Sequence, residues 1–221
     1  MSKDGFLDEK IIKMIDQVEN PVVTPTAPSG IKTDIPSEER TIYTGLKIGG
    51  QFTEFEERRF VEDKIAMMVP KEFTELDSEI AKIKYPMEQR PQTILTDSTG
   101  TVNFLFSHMD HQITNDDAEM VRDKILSIMI RMNPGIKPQS TGKEAISDKN
   151  IAYVEFSNPA LDGKLYNLMF FFELDGKTLM GSFNCITKSM RYWQKPALEM
   201  MRSIKVLDPK TIEKGCMMDE L

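Results

Sequence analysis

The chain has 221 residues, of which 40% are hydrophobic and 29% are charged, and its formal net charge is −7 at pH 7. This composition is ordinary for a globular protein with one sizeable core and extra segments, or for two small domains. The acidic balance gives no basic footprint for nucleic acid, and an anionic membrane surface would repel it. Apolar runs such as 168–172 are far too short to cross a bilayer. We therefore expect neither nucleic acid nor a membrane as a partner.

The cysteine content and the first residues of the chain both bear on the compartment. The two cysteines, Cys185 and Cys216, do not suggest a disulfide framework. The opening residues, Met-Ser-Lys-Asp-Gly-Phe, lack the apolar centre of a secretory signal. We therefore expect a cytoplasmic protein.

Residues 1–20 are predicted to contain an amphipathic helix. Asn20-Pro21 ends this helix, because proline disfavours the helical conformation of the residue before it. Residues 21–40 are rich in proline and poor in large apolar side chains, which is typical of a linker. The apolar stripe of the helix recurs at helical spacing and consists of Leu7, Ile11, Met14, Ile15 and Val18.

From residue 41 onward the predicted elements follow one another closely. Strand pairs are predicted at 41–48 with 51–56 and at 58–61 with 65–69; Gly49-Gly50 suits the positive φ angles of the first turn. A short amphipathic helix is predicted over 74–83, with Leu76, Ile80 and Ile83 facing inward. Strands 92–96 and 101–107 come next.

A long helix and three strong strands follow. The helix is predicted over 114–132, where Thr114 and Asp117 approximate a capping box and Asn133-Pro134-Gly135 marks the end. Its expected inward residues are Ala118, Val121, Ile125, Ile128, Met129 and Met132. Aromatic and β-branched residues predict the strands 151–157, 165–174 and 177–186, the last two joined at Asp175-Gly176. A final helix over 189–204 places Trp193 on its apolar side.

This order of elements predicts an α+β fold for residues 41–207. Consecutive strands joined by short turns must be largely antiparallel. We therefore expect one antiparallel sheet of about six to seven strands, flanked by the α-helices, with the N-terminal helix and linker before it. Residues 208–221 form a C-terminal tail in this interpretation.

The sequence offers one weak candidate for a metal site, namely His108, Asp110 and His111. Nitrogen and carboxylate ligands of this kind can bind zinc, but their spacing matches no zinc finger and no helix-borne pair. We favour a solvated polar loop at a strand end. Cys185 alternates with apolar residues on a predicted strand, which is typical of a small buried thiol rather than a nucleophile. We expect no catalytic residue and no cofactor.

Several apolar segments resemble the PsbP-like superfamily over about residues 55 to 206. The segments that carry the resemblance are 65–73 (IAMMVPKEF), 90–92 (RPQ), 103–106 (NFLF) and 166–171 (YNLMFF), together with Trp193 and Ser203-Ile204. The resemblance implies a six- or seven-stranded antiparallel sheet with flanking helices. It also implies a non-enzymatic role, because members act mainly by binding other proteins. It transfers no site residue, since these positions belong to the core.

Three functions are therefore compared. The leading hypothesis is a bacterial protein-binding module, an adaptor or chaperone-like protein, that binds a partner protein or associates with itself through the N-terminal helix. The first alternative is a small-molecule or lipid binder with an apolar cleft between sheet and helices. The second is a metal-dependent enzyme that uses His108, Asp110 and His111.

Deletion of residues 1–20 tests the role of the N-terminal stripe. A helix of about fourteen residues is marginal alone in water, so its apolar side needs a surface to bind. If it docks within its own chain, the deletion lowers the melting temperature. If it docks on a second chain, stability is unchanged and association is lost, as measured by sedimentation. A deletion that alters neither quantity contradicts both versions.

Overall fold

The structure is a computed structural model that describes residues 40–84, 91–160 and 163–207. The predicted N-terminal helix, nearly all of the predicted linker and the predicted C-terminal tail lie outside these residues. No helix in the described part of the chain is long and apolar enough to span a membrane.

Twelve strands and three α-helices make up the described part, and neighbouring strands pair antiparallel throughout. In chain order the elements are β1 Leu46–Ile48, β2 Gln51–Thr53, β3 Phe55–Phe60, β4 Ile65–Pro70, β5 Thr74–Glu75, α1 Ser78–Lys84, β6 Thr93–Thr96, β7 Val102–Gln112, a 3-10 turn Asn115–Asp117, α2 Ala118–Met132, β8 Lys137–Ile146, β9 Lys149–Ala160, β10 Gly163–Leu174, β11 Lys177–Ile186, α3 Thr187–Arg202 and β12 Lys205–Val206.

The strands form three sheets rather than the single sheet expected from the sequence. The main sheet has seven strands in the order β5-β6-β7-β11-β10-β9-β8, which agrees with the six to seven strands expected from the sequence. A three-stranded sheet, β12-β4-β3, and the hairpin β1-β2 are separate from it. The alternation of side chains predicted these strands but not their sheets, because it does not specify which strands pair.

One face of the main sheet is covered by α3 and the three-stranded sheet. We call the core between the main sheet and this cover the front core. Phe104 and Phe106 of β7, together with Phe170 and Phe172 of β10, are buried there. The ring of Phe60 on β3 lies 5.2 Å from that of Phe106, centroid to centroid. These contacts show that the small sheet is a second layer over the main one.

The opposite face carries a smaller back core beneath α2. Val154, Phe156, Met169 and Phe171 from β9 and β10 pack there against Val121 of the helix. Because side chains alternate along a strand, Met169 and Phe171 face α2 while Phe170 and Phe172 face the front core. The central strands are therefore apolar on both faces.

Tight turns with positive φ connect several of the strands. Asp175 (φ 53°) and Gly176 (φ 75°) form the predicted two-residue turn between β10 and β11, where Leu174 pairs with Lys177. Gly49 (φ 60°) and Gly50 (φ 93°) form the predicted turn between β1 and β2. The first ladder is shorter than predicted, since Thr41–Thr44 forms a turn closed by the Thr44 N–H donating to the Thr41 carbonyl.

The start predicted for the helix over 74–83 is too early. Thr74 and Glu75 pair with β6 as strand β5, and α1 starts only at Ser78. The Asp77 carboxylate accepts hydrogen bonds from the N–H groups of Glu79 and Ile80 and so caps the helix at this point. Ile80, which was expected to face inward, is exposed.

Strand β8 was not predicted from the sequence. Its ten residues, KPQSTGKEAI, lack an apolar alternation and include Pro138. The strand lies at the edge of the main sheet, where polar residues and proline are tolerated. Sequence patterns reveal a strand by the apolar residues of its buried face, and none of the residues of β8 is fully buried.

The predicted capping box is present at the 3-10 turn before α2, but α2 itself begins at Ala118 rather than at 114, and not all of its predicted inward residues are buried. The Asp117 carboxylate accepts hydrogen bonds from the Thr114 N–H at 2.8 Å and from the Thr114 hydroxyl at 2.7 Å. Ala118 and Val121 are buried, whereas Ile128 and Met132 are exposed, with Met132 at 80%. The helix packs mainly on β9 and β10, and its partly buried residues on the back core are Ile125, Leu126, Met129 and Ile130.

Trp193 should be a major contributor to stability. Its side chain is 7% exposed, and its ring lies 5.8 Å from that of Phe73 and 5.6 Å from that of Phe183. We expect Trp193→Ala to lower the free energy of unfolding by about 3–5 kcal/mol. Denaturant unfolding followed by circular dichroism measures this, since the variant has no tryptophan signal. The matched control Met132→Ala should change it by less than about 0.5 kcal/mol; an equal loss in both would contradict the assignment.

Candidate functional site

The metal-site candidates lie on a strand and have separate partners. His108, Asp110 and His111 belong to β7, which runs five residues past its predicted end at 107, so the expected loop is wrong. His108 Nε2 is 3.1 Å from the Leu174 carbonyl oxygen, and His111 Nδ1 is 3.2 Å from Thr178 Oγ1. Within the described residues, no three His, Cys, Asp or Glu side chains come together as a metal ion would need.

A β-bulge explains why these side chains diverge. Thr178 pairs with Met109 and Lys177 pairs with Gln112, so Asp110 and His111 are the additional residues on β7. The exposed Asp110 carboxylate forms an ion pair with Lys177 Nζ at 2.9 Å, and this pair lowers the pKa of Asp110. The arrangement is a bulged strand end with a surface ion pair.

Cys185 is a buried thiol, as predicted. It lies on β11 in the front core, is fully buried, and burial raises its pKa from 9.0 to about 12. A thiol of this kind is protonated at neutral pH and has no nucleophilic thiolate. Its position is suited to packing.

The phenylalanines expected to line an apolar cleft instead fill the space between sheet and helix. The rings of Phe104 and Phe170 lie 6.0 Å apart, and those of Phe106 and Phe170 lie 6.2 Å apart, centroid to centroid. Two surface depressions, of about 320 and 410 Å³, lie beside α1 and beside the β10–β11 turn. Neither depression is lined by a phenylalanine. The front core is a packed interior.

A buried carboxylate connects three strands and a helix. Glu155 of β9 is 4% exposed. Its Oε2 accepts hydrogen bonds from the Tyr166 hydroxyl at 2.7 Å and from Gln194 Nε2 of α3 at 2.6 Å, and its Oε1 accepts one from the Ser140 hydroxyl at 2.7 Å. Since Tyr166 is also fully buried, this cluster has the residue types of an acid–base pair, but both of those side chains are shielded from solvent. It holds α3 on the sheet.

Three aromatic side chains on or beside the β1–β2 hairpin are exposed, and sequence analysis missed them. We call them, with two arginines, the hairpin patch: Tyr43, Phe52 and Tyr192, with Arg40 and Arg191. Phe52 of β2 is 48% exposed, and the Arg40 guanidinium lies 5.5 Å from its ring centroid. Tyr192 of α3 is 39% exposed, and the Arg191 guanidinium lies 4.5 Å from its ring centroid. Tyr43, at 66%, belongs to the turn just before β1.

Two glycines lie beside rings of the hairpin patch. A Cβ on Gly45 would lie 2.3 Å from Cζ of Phe52, so the ring can rest on the backbone only because this residue is glycine. A Cβ on Gly49 would lie 4.0 Å from Cδ2 of Tyr192, which places the hairpin turn beside α3. One sequence signal was available: Tyr192 lies about 100° around the helix from the inward-facing Trp193, at the side of the buried stripe.

Three positively charged side chains lie at the hairpin patch on a chain that is acidic overall. Lys47 is the direct cross-strand neighbour of Phe52. Arg40 and Arg191 lie over two of the three rings. Apolar rings with adjacent guanidinium groups are enriched at protein–protein interfaces. The patch therefore combines apolar area with a local charge opposite to that of the whole chain.

The raised pKa of Cys185 predicts a loss of stability at alkaline pH. Above pH 9.0 the unfolded chain releases the thiol proton while the folded chain retains it, so the free energy of unfolding falls until about pH 12. Burial and the hydrogen bond to Glu155 raise the pKa of Tyr166, which adds a fall of the same sign above pH 10.0. Between pH 9 and 10 we expect Cys185→Ala to remove most of the slope in urea unfolding. A slope unchanged in this variant contradicts the assignment.

Comparison with solved structures identifies the fold. No protein-family model matches the sequence, and no curated protein matches it significantly. Among solved structures, the solution structure of PsbP (CyanoP) from Synechocystis sp. PCC 6803 matches with a TM-score of 0.53 at 11% identity, covering 72% of this chain and 96% of that one.

Two further matches have lower scores. LpqN, which is involved in cell envelope biogenesis of Mycobacterium tuberculosis, matches with a TM-score of 0.45 at 8% identity, covering 71% of this chain and 92% of that one. The immunity protein TplEi of the T6SS from Pseudomonas aeruginosa matches with 0.37 at 9% identity, covering 93% and 85%. Of the three, the CyanoP match is the one from which we draw the fold. The resemblance seen in the sequence is confirmed at the level of the fold: the chain has the PsbP-like fold.

Proposed function

We propose that this chain is a non-enzymatic protein-binding module, an adaptor or chaperone-like protein of the bacterial cytoplasm, and that the hairpin patch binds an acidic surface of a partner protein. The observation that carries the proposal is the exposure of Tyr43, Phe52 and Tyr192 beside Arg40 and Arg191. Tyr and Arg are among the residues that contribute most binding energy in interfaces.

The partner chemistry follows from the charges around the rings. Arg40, Lys47 and Arg191 would attract carboxylates, which would surround an apolar recess on the partner that receives Phe52. Guanidinium groups that already lie over aromatic rings lose little conformational freedom on binding. Association should therefore slow as ionic strength rises.

The non-enzymatic part of the proposal rests on the sites considered above. His108, Asp110 and His111 each have separate contacts, and Cys185 and the Glu155–Tyr166 pair are enclosed in the core. The alternative of a lipid or small-molecule cleft is not favoured, because the phenylalanines that would line it pack on one another. The free thiol of Cys185 supports a reducing compartment.

The N-terminal stripe stays a second predicted contact surface. Leu7, Ile11, Met14, Ile15 and Val18 lie outside the described residues, and the deletion of residues 1–20 tests them separately. Binding through the hairpin patch does not depend on its outcome.

A photo-crosslinking side chain at position 52 in the native cells tests the hairpin patch. The matched control carries the same group at Met120, an exposed apolar residue on the outer side of α2. We expect a specific protein to crosslink from position 52 and not from position 120. Crosslinks of equal yield from both positions would contradict the proposal.

Once the crosslinked partner protein is identified and purified, its affinity for variants of this chain measures how much each aromatic side chain contributes to binding. We expect Phe52→Ala and Tyr192→Ala each to weaken binding by about 30-fold, the effect of losing an interface residue worth about 2 kcal/mol. Met120→Ala should have no effect, and melting temperatures should show that all variants remain folded. Unchanged affinity in both aromatic variants would overturn the assignment of this surface.

A further inference from the structure

The main sheet has one long edge whose outer side is uncovered in the described part of the chain. Strand β8 is ten residues long and pairs with β9 on one side only. The opposite edge of the same sheet is β5, which has two residues. A long edge strand presents main-chain donors and acceptors that can pair with another strand.

The β8–β9 turn determines which main-chain groups point outward. Ser147 (φ 50°) and Asp148 (φ 60°) form a two-residue turn, and Ile146 pairs with Lys149 beside it. Residues that flank such a turn form a hydrogen-bonded pair, and pairs along the ladder then alternate. Residues 142 and 144 therefore bond to β9, whereas the N–H and C=O groups of residues 141, 143 and 145 point away from it.

These outward groups define a short open segment, Thr141 to Ala145. Among the turn, loop and side-chain hydrogen bonds of the described residues, none involves the main chain of Thr141, Lys143 or Ala145. Pro138 and the register shift between Pro138 and Ser140 close the segment at one end. At the other end, the Val206 N–H donates to the Ser147 hydroxyl.

The side chains of this segment are already held in place. Lys143 Nζ lies 2.5 Å from Glu119 Oε2 on the α2 side of the sheet. On the α3 side, Arg202 donates two hydrogen bonds to the Glu144 carboxylate, at 2.7 and 2.8 Å. A strand whose side chains are fixed by both flanking helices loses little freedom when a second strand pairs with it.

We propose that a second copy of this chain pairs with the open segment, strand β8 against strand β8, to form a continuous antiparallel sheet across a two-fold axis. The register that uses the whole segment places Lys143 opposite its symmetry mate and Thr141 opposite Ala145. Three pairs of this kind make six main-chain hydrogen bonds. This inference goes beyond the proposed function and does not involve the hairpin patch.

The charges near the axis are self-complementary. Opposed lysines alone would repel one another. Each Lys143, however, brings its own Glu119, so two ammonium groups and two carboxylates meet at the axis. An ammonium group has three donors and can bond to both carboxylates. The opposed small side chains of Thr141 and Ala145 leave the two strands free to approach.

The helices leave room for this pairing. Helix α2 packs on β9 and β10, so strand β8 lies between it and the open edge. In the paired sheet the two α2 helices are separated by at least three strand spacings, about 14 Å. This exceeds the roughly 8–10 Å at which packed helices touch.

Sedimentation equilibrium of the full chain tests the pairing. We expect a monomer–dimer equilibrium whose association is weakened at least tenfold by Thr141→Pro, because proline removes an N–H that points to the partner but none that bonds to β9. The matched control Thr141→Ala keeps that N–H, leaves Lys143 and Glu119 in place and should associate like the wild type. Amide exchange should become slower with protein concentration at Thr141, Lys143 and Ala145. A protein that remains monomeric at millimolar concentration overturns the proposal.

A charge exchange tests the partner and does not depend on how the proline variant folds. Lys143→Glu or Glu119→Lys alone gathers four like charges at the axis and should weaken the dimer about tenfold. The double variant Lys143→Glu/Glu119→Lys restores two of each sign and should recover the wild-type association. A dimer that tolerates both single changes, or that Phe52→Ala also abolishes, would assign the interface to another surface.

Discussion

Strand β10 has apolar side chains on both faces, and the layers around it follow from the need to remove both from water. Tyr166, Leu168, Phe170 and Phe172 point to the front core, while Met169 and Phe171 point to the back core. Exposure of either set would cost several kilocalories per mole, at about 1.5–3 kcal/mol for each large apolar side chain. The front face is covered by α3 and the three-stranded sheet, and the back face by α2, so the sandwich is the arrangement that buries both sets.

The position of α3 also depends on one buried polar group. The Glu155 carboxylate is buried and would be strongly destabilising without partners. Its hydrogen bonds to Tyr166, Gln194 and Ser140 come from a neighbouring strand, the helix and the edge strand. The same contact therefore satisfies a buried acceptor and orients α3 over the front core. It also connects β8 to the interior, which keeps the open segment in a defined position.

The surfaces proposed for binding lie where this layered arrangement ends. The hairpin patch lies beside the start of α3, and the open edge of β8 is the last strand of the sheet. Each has a different recognition chemistry, since the first offers aromatic rings with guanidinium groups and the second offers main-chain hydrogen bonds. A module with a symmetric sheet edge and a separate aromatic patch can present two copies of that patch to a partner, and paired patches raise the effective concentration for the second contact.

The sequence by itself determined the strong elements of the back half of the chain. Apolar residues on both faces of 165–174 and the Asp175-Gly176 turn predicted β10 and β11 closely, and the apolar side of the last helix predicted the burial of Trp193. These signals are local, since turn chemistry and the burial of successive residues act over a few positions. The thiol of Cys185 was predicted for the same reason.

Only the tertiary structure decided which strands share a sheet, where the edges lie and which polar residues meet. The polar strand β8 carries no alternation to detect, and the extension of β7 through His108 and His111 depends on pairing with β11. The contact of Glu155 with Tyr166, Gln194 and Ser140 joins residues far apart in the chain, so no local spacing encodes it. In α2, Leu126 and Ile130 pack against the back core while Ile128 and Met132 are exposed, because contact with the sheet decides which side of an amphipathic helix is buried.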